Sequence, residues 1–259
     1  MKALEPIVLT SSTTAWTSGN VYTLGDENVK IESRITVNGT VFLLLPDGKT
    51  LNAQNGITVA SGNTLVIDKY GTTSTGTGIL NATGPDDSAG IGGVLEYGKK
   101  DAGTVIINGG KVTATGGEDA AGIGGGEGGN GGTVIINGGT VDAQGGGYAA
   151  GIGGGVTGVG GTVTITGGTV TANGGDFAAG IGGGWSGDGG TVIINGGAVT
   201  ATGGEGATGI GRGDEGDSDG TLKIGYGVLV YKTGETEDYD YGPRDNVSTR
   251  YRNMTVIKP

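Results

Sequence analysis

The residues best suited to chemistry in this 259-residue sequence are carboxylates that recur at one position of a repeat. Asp86, Glu118, Asp176 and Glu205 each lie five residues before the Ile of a Gly-Ile-Gly element, and Gly147 takes that position once. Like charges stacked in successive repeats repel, and calcium accepts carboxylate oxygens readily. The column therefore predicts a calcium site, although no Asp-x-Asp-x-Asp-Gly loop is present and the four side chains could equally extend into water.

Aromatic residues mark a second candidate site. Tyr148 and Phe177 lie four positions before the Ile of their repeats, and Trp185 lies four positions after. Exposed rings can stack on the apolar faces of sugars, and Asp176 and Asp188 could accept hydrogen bonds from hydroxyls or hold a bridging calcium. Alternatively, the rings stack on one another and cover a thin core.

The two flanks predict a groove for an extended glycan. Tyr148 and Phe177 would form one wall and Trp185 the other, with Gly-rich segments such as 124–126 as a shallow open floor.

Composition removes several classes of chemistry. The chain has no Cys and no His, which excludes disulfides, thiolate metal sites and the commonest general base. Its net charge of −11 repels phosphate backbones, so nucleic acid is not an expected partner. No segment approaches the roughly 20 apolar residues that a membrane-spanning helix needs, so no membrane insertion is expected.

A repeat of 29 residues positions these side chains. The motif at 104–107, TVII, returns in similar form at 133, 162 and 191. Each unit continues with a second β-branched run, as at 111–114, and then with the Gly-Ile-Gly element. Three short segments separated by Gly turns predict an all-β, right-handed parallel β-helix, that is, a three-sided β-solenoid with coils of about 29 residues.

Alternation within each run assigns its inward side. One unit's predicted inward residues are Val105, Ile107, Val112, Ala114, Ala121 and Ile123. On the outside, Asn108, Asn137 and Asn195 are expected to form an amide ladder that Thr166 interrupts.

We interpret the chain as a single solenoid domain over 1–259. Residues 1–20, including Trp16, are predicted to form an N-terminal cap. The coils extend over 21–226 and are most regular at 104–213. Residues 227–259 form the predicted C-terminal cap, in which the acidic run 235–240 is expected to be a solvated loop.

One outward apolar stripe could support oligomerisation. Ile106, Ile135 and Ile193 fall in the same outward column, which Thr164 interrupts. A terminal segment or a second chain could cover this stripe.

Three sequences, ITVNG at 35–39, GTVIINGGTV at 132–141 and AAGIGGG at 149–155, carry a family resemblance. The chain resembles Gram-positive-type bacterial surface β-helix repeat proteins that are labelled carbohydrate-binding domain-containing, from about Trp16 to Pro259. The resemblance implies a module of a longer secreted or wall-anchored chain, and it also implies binding of acidic polysaccharide with calcium in some relatives.

These observations favour a non-catalytic extracellular or cell-surface module that recognises a polysaccharide or host glycan. A passive spacer in an adhesin stalk is the alternative. A polysaccharide lyase or hydrolase is less favoured, because Lys111 is the only basic residue in 104–203. An ice-binding array of outward Thr residues is disfavoured by Asp142, Gln144 and Asn173, which interrupt it.

Overall fold

A computed structural model of the chain describes residues 5–71, 76–96, 100–226, 229–233, 240–241, 244–245 and 253–257. All regular secondary structure in these residues is β-strand, arranged in three sheets. The fold is the predicted right-handed, three-sided parallel β-helix. No helix long and apolar enough to cross a membrane occurs in this part of the chain.

Each coil between residues 21 and 211 contributes one strand to each sheet. The strands of sheet 1 are Ile7–Val8, Val21–Thr23, Thr40–Pro46, Thr64–Tyr70, Thr104–Ile107, Thr133–Ile136, Thr162–Ile165, Thr191–Ile194, Thr221–Ile224 and Arg244–Asp245. Those of sheet 2 are Val29–Ile31, Thr50–Ala53, Ile79–Thr83, Lys111–Thr115, Thr140–Gln144, Thr169–Asn173, Ala198–Thr202, Leu229–Thr233, Asp240–Tyr241 and Asn253–Ile257. Those of sheet 3 are Ala15–Thr17, Ile35–Asn38, Ile57–Thr58, Ile91–Gly92, Ile123–Gly124, Ile152–Gly153, Ile181–Gly182 and Ile210–Gly211.

The core is a stack of small aliphatic side chains, as the alternation predicts. All six inward residues predicted for the coil at 105–123 are fully buried. Ile123, Ile152 and Ile181 pair in register in sheet 3 and lie in the core. Since one coil is too thin to bury its own apolar side, the stability of each coil depends on its neighbours.

The N-terminal segment predicted as a cap takes part in the sheets. Ile7–Val8 pairs in parallel with the next strand of sheet 1, and Ala15–Thr17 with the next strand of sheet 3. Trp16 is fully buried and stacks on Tyr22, with ring centroids 5.3 Å apart. The large rings fill the end of the core, so this segment forms a first coil and closes it at the same time.

Antiparallel pairing ends the solenoid at its other side. Asn253–Ile257 pairs antiparallel with Ala198–Thr202, and Leu229–Thr233 pairs with Asn253–Ile257. A reversed strand cannot continue the parallel coil, and the role of residues 227–259 as a C-terminal cap stays a prediction. The acidic run at 235–240 lies outside the described residues except for Asp240.

The outer side of sheet 1 carries the predicted amide ladder, with one correction. Asn137 donates from Nδ2 to Oδ1 of Asn108 at 2.9 Å. Thr166, predicted to interrupt the ladder, extends it by donating its hydroxyl to Oδ1 of Asn137 at 2.8 Å. Asp68 accepts a bond of 3.5 Å from Asn108 at the other end. A hydroxyl can replace the amide donor because the coil spacing brings it within hydrogen-bonding distance.

The apolar stripe also lies on the outer side of sheet 1. Ile106 and Ile135 pair in register, and Thr164 lies between Ile135 and Ile193 as predicted. All four side chains are half-buried. Val66 and Phe42 extend the column, so it crosses six coils. Oligomerisation through this stripe stays a prediction.

Candidate functional site

The two variable columns that flank the Gly-Ile-Gly element meet on one surface. Four backbone hydrogen bonds of 2.9 Å join them between successive coils. They run from Glu127 to Asp87, Val156 to Asp119, Trp185 to Tyr148, and Asp214 to Phe177, with the N–H of the first residue donating to the carbonyl of the second. We call these eight residues the variable ridge. The sequence predicted the columns on opposite sides of a groove, because it did not show that the chain folds back after each Gly-rich strand.

The aromatic residues of the ridge form one cluster. Tyr148 and Phe177 stack with ring centroids 6.1 Å apart and an interplanar angle of 10°. Trp185 lies against Tyr148, with ring centroids 6.0 Å apart and an interplanar angle of 50°. Tyr148 is 37% exposed, and the other two rings are half-buried. The cluster is therefore a single platform open to solvent, and the predicted pair of walls is wrong.

The Gly-rich floor of the predicted groove is also wrong. Gly124, Gly125 and Gly126 are all buried. A Cβ on Gly124, whose φ is +145°, would collide with the carbonyl oxygen of Gly153 in the next coil. These glycines are needed because backbones of successive coils pack against each other there, and no open surface results.

The two aspartates assigned to the glycan site differ in their roles. Asp188 accepts backbone N–H groups of Asp217 at 3.0 Å and Ser218 at 2.8 Å through the same oxygen. Asp101 binds the N–H of Asn130 in an equivalent way, which identifies this as a recurring link between coils. Asp176 is exposed beside the ridge, and its backbone N–H donates to the carbonyl of Gly147 at 2.6 Å. Asp188 therefore has a structural task, whereas Asp176 is accessible to a ligand.

Unusual backbone conformations accompany the aromatic cluster. Thr157 and Ser186 both have φ of +58°, and the Thr157 N–H donates to the carbonyl of Trp185 at 2.8 Å. A β-branched residue at positive φ is a real outlier, and such strain concentrates at functional sites. In the preceding coil Gly128 takes this conformation at φ +61°. Asp87, in the acidic half of the ridge, is the third described non-Gly residue at positive φ, at +26°, so the strained positions accompany both halves of the ridge.

The other half of the ridge is acidic. Asp87, Asp119 and Glu127 occupy it, and Glu118 adjoins it because the Tyr148 N–H donates to the Glu118 carbonyl at 3.2 Å. Burial raises the pKa of Asp119 above its ordinary value of 3.8, and the charges of Asp87 and Glu118 raise it further. These carboxylates are therefore close enough to repel one another. The repeat pattern predicts Glu118 only as a member of the calcium column and predicts no role for Asp87, Asp119 and Glu127.

The predicted calcium column does not converge. Asp86, Glu118, Asp176 and Glu205 are all exposed. Among the described residues, no three carboxylates are grouped so that they could hold a metal ion. Gly147 separates Glu118 from Asp176 by two coils, about 9.6 Å at the usual strand spacing. Calcium binding at this column stays a prediction.

A cleft that the sequence did not predict lies near the N-terminal coils. Arg34 lines it together with Thr36, Thr58 and Ser88, and its volume is about 350 Å³. The guanidinium donates to the Thr58 hydroxyl at 2.7 Å and to the carbonyls of Asn55 and Ala89, both at 2.8 Å. Burial lowers the pKa of Arg34 to about 10. Arg34 therefore ties three coils together, and a lone Arg directly before a sheet 3 strand was the available signal.

Comparison with known proteins agrees with the fold. A family model described as a beta helix repeat matches residues 105–127, 134–156 and 160–185. These stretches cover the coils that carry most of the variable ridge. Searches of curated proteins and of solved structures find no match.

Proposed function

We propose that this chain is a non-catalytic module of a secreted or cell-surface bacterial protein and that it binds an extended glycan on the variable ridge. The aromatic cluster carries the proposal. Tyr148, Phe177 and Trp185 are the only aromatic residues between 101 and 225, and all three lie in contact on one surface. The core of these coils consists of small aliphatic side chains and needs no ring of this size.

The shape of the platform suits a polymer. Tyr148 and Phe177 belong to successive coils, and the ridge continues along the solenoid axis by about 4.8 Å per coil. Several sugar units could therefore contact it at once. Weak contacts to each unit would add, so affinity is expected to rise with oligosaccharide length.

Binding without catalysis is inferred from the side chains of the ridge. Its eight residues include no Lys, Arg or His that could serve as the base of a lyase beside a carboxylate-bound cation. Paired carboxylates could still serve a hydrolase. Incubation with pectins and mucins tests for both activities: new reducing ends would show hydrolysis and unsaturated products would show a lyase reaction. We expect neither product.

The decisive experiment measures oligosaccharide binding to Trp185→Ala and Phe177→Ala, after a glycan array has identified a binder. Each variant is expected to weaken binding about tenfold, equivalent to roughly 1.4 kcal/mol. Phe42→Ala is the matched control, since this ring is 40% exposed on the outer side of sheet 1. It should leave affinity unchanged.

Full affinity in both folded ridge variants would overturn the proposal. If no glycan binds at all, the rings only cover the core. The chain then fits the role of a passive spacer in an adhesin stalk.

A further inference from the structure

The acidic half of the variable ridge places carboxylates without ion-pair partners among the described residues beside the aromatic cluster. Glu118 and Asp119 lie one coil before Tyr148, and Asp87 lies two coils before it. Among the described residues, none of these three carboxylates forms an ion pair. The ridge therefore presents negative charge directly beside the aromatic platform.

The environment of Asp119 shows that this charge is unfavourable in the free protein. Its carboxyl is partly buried, and Asp87 and Glu118 are near enough to raise its pKa. One basic side chain adjoins this half, since Lys100 Nζ lies beside Gly128, next to Glu127. It forms no ion pair with a carboxylate of the described residues. A bound cation near Asp119 would relieve the repulsion.

We propose that the ridge selects a glycan with free amino groups. The sugar rings lie on Tyr148, Phe177 and Trp185, while ammonium groups on neighbouring units reach Asp119 and its acidic neighbours. This proposal rests on the proposed function and adds the charge of the ligand to it.

Two interactions support a cationic sugar over a neutral or acidic one. Ammonium groups form charge-assisted hydrogen bonds with carboxylates and are attracted to aromatic faces. The net negative charge of the coils that carry the ridge also favours a cationic ligand. Between 86 and 225, fifteen Asp and Glu residues face five basic ones, Lys99, Lys100, Lys111, Arg212 and Lys223. An acidic polymer would be repelled by both the ridge and its surroundings, whereas a polycation would be attracted.

A glycan fits the ridge better than a basic peptide. Peptides that bind β-structure usually add a strand to an edge with unpaired backbone groups. The backbone N–H groups of Tyr148, Val156 and Trp185 are already bonded between coils. Recognition on the ridge is therefore left to side chains. Tyr148 and Phe177, at an interplanar angle of 10°, present a stacked aromatic surface that sugar rings can cover.

The test uses two oligosaccharides of equal length, β-1,4-linked glucosamine hexamer and its fully N-acetylated counterpart. The amine form is expected to bind about tenfold more tightly in low salt, and the difference should shrink at 0.5 M salt because exposed charges are screened. Asp119→Asn and Glu118→Gln should each weaken binding of the amine form several-fold and leave the acetylated form unchanged. Asp142→Asn, an exposed carboxylate on the outer side of sheet 2, is the matched control.

Equal or tighter binding of the acetylated hexamer overturns the charge assignment, even when Trp185→Ala still weakens it and the glycan function stands. Oligolysine of the same charge serves as a second probe. If it binds as tightly as the glucosamine hexamer, and neither responds to Trp185→Ala, the attraction is nonspecific and both proposals fail.

Discussion

The backbone N–H of Trp185 donates to the carbonyl oxygen of Tyr148 at 2.9 Å, and the two rings lie 6.0 Å apart. Tyr148 precedes the Ile of its repeat by four residues, and Trp185 follows the Ile of the next repeat by four. One backbone hydrogen bond thus brings together two residues that occupy different positions of the repeat and belong to different repeats. The same bond recurs along the ridge, so the surface can change its chemistry while its backbone stays constant.

Removing bulk from the inward column should destabilise the solenoid. Ile152 is fully buried between Ile123 and Ile181. Ile152→Ala is expected to lower the free energy of unfolding by about 2–5 kcal/mol, because a cavity opens in a tightly packed stack. Denaturant unfolding measures this. Ile135→Ala, on the half-buried outer side of sheet 1, is the control, and an equal loss in both would contradict the inward assignment.

Glycines of sheet 3 should tolerate no side chain. A Cβ at Gly153, whose φ is +144°, would strike the carbonyl oxygen of Gly182. Gly153→Ala is therefore expected to lower the free energy of unfolding by roughly 1–3 kcal/mol or more. At Gly147 an added Cβ would meet only the Glu118 carbonyl, at an ordinary 3.7 Å. Gly147→Ala should leave the melting temperature nearly unchanged, and similar losses in both variants would refute the close approach of coils.

The two hydrogen bonds of the amide ladder at Asn137 should each contribute to the free energy of unfolding. Asn137 donates to Asn108 and accepts from Thr166. Thr166→Val removes only the bond from Thr166, so it should cost less than Asn137→Ala, which removes both bonds; each bond contributes about 0.5–1.5 kcal/mol. Thermal unfolding of both variants tests the order. Asn173→Ala is the control, since that amide lies outside the ladder on sheet 2, and a drop in melting temperature as large as that of Asn137→Ala would count against the ladder.

Asp119 should make stability depend on pH. Burial first, and then Asp87 and Glu118, raise its pKa above 3.8, so the folded state holds the proton more tightly than the unfolded state. Ionisation of Asp119 therefore costs stability as pH rises through the raised value. Asp119→Asn should melt at a higher temperature than the wild type at pH 7, and the advantage should disappear below about pH 4, near the ordinary pKa of Asp. An unchanged difference at pH 3 would disprove this origin.

The scaffold was predictable because its signals are local and repeated. Strict alternation in segments such as 104–107 fixes which side chains are buried, and the 29-residue period fixes which residues pair between coils. Both were confirmed. Terminal coils were harder, because Trp16 lies outside the period and only its burial shows that it fills the end of the core.

The aromatic residues of the candidate site could be singled out from the sequence, but their arrangement could not. The aromatic residues stood out because they vary where the scaffold is constant. Their contact depends on a backbone bond between Tyr148 and Trp185, which belong to different repeats, and no local pattern reports it. Similarly, nothing in the sequence around Asp188 showed that its carboxylate holds the backbone of the following coil.

The in-register pairing of the 29-residue coils has a consequence for how this surface can evolve. Thr133 pairs with Thr104 and Thr162, and Thr162 with Thr191, so each such coil offers its neighbours the same pattern of backbone donors and acceptors. A tandem duplication or deletion of one coding unit would therefore leave the remaining pairings intact. Recombination between repeats could lengthen or shorten the ridge in steps of about 4.8 Å, while point mutations rewrite its side chains one at a time.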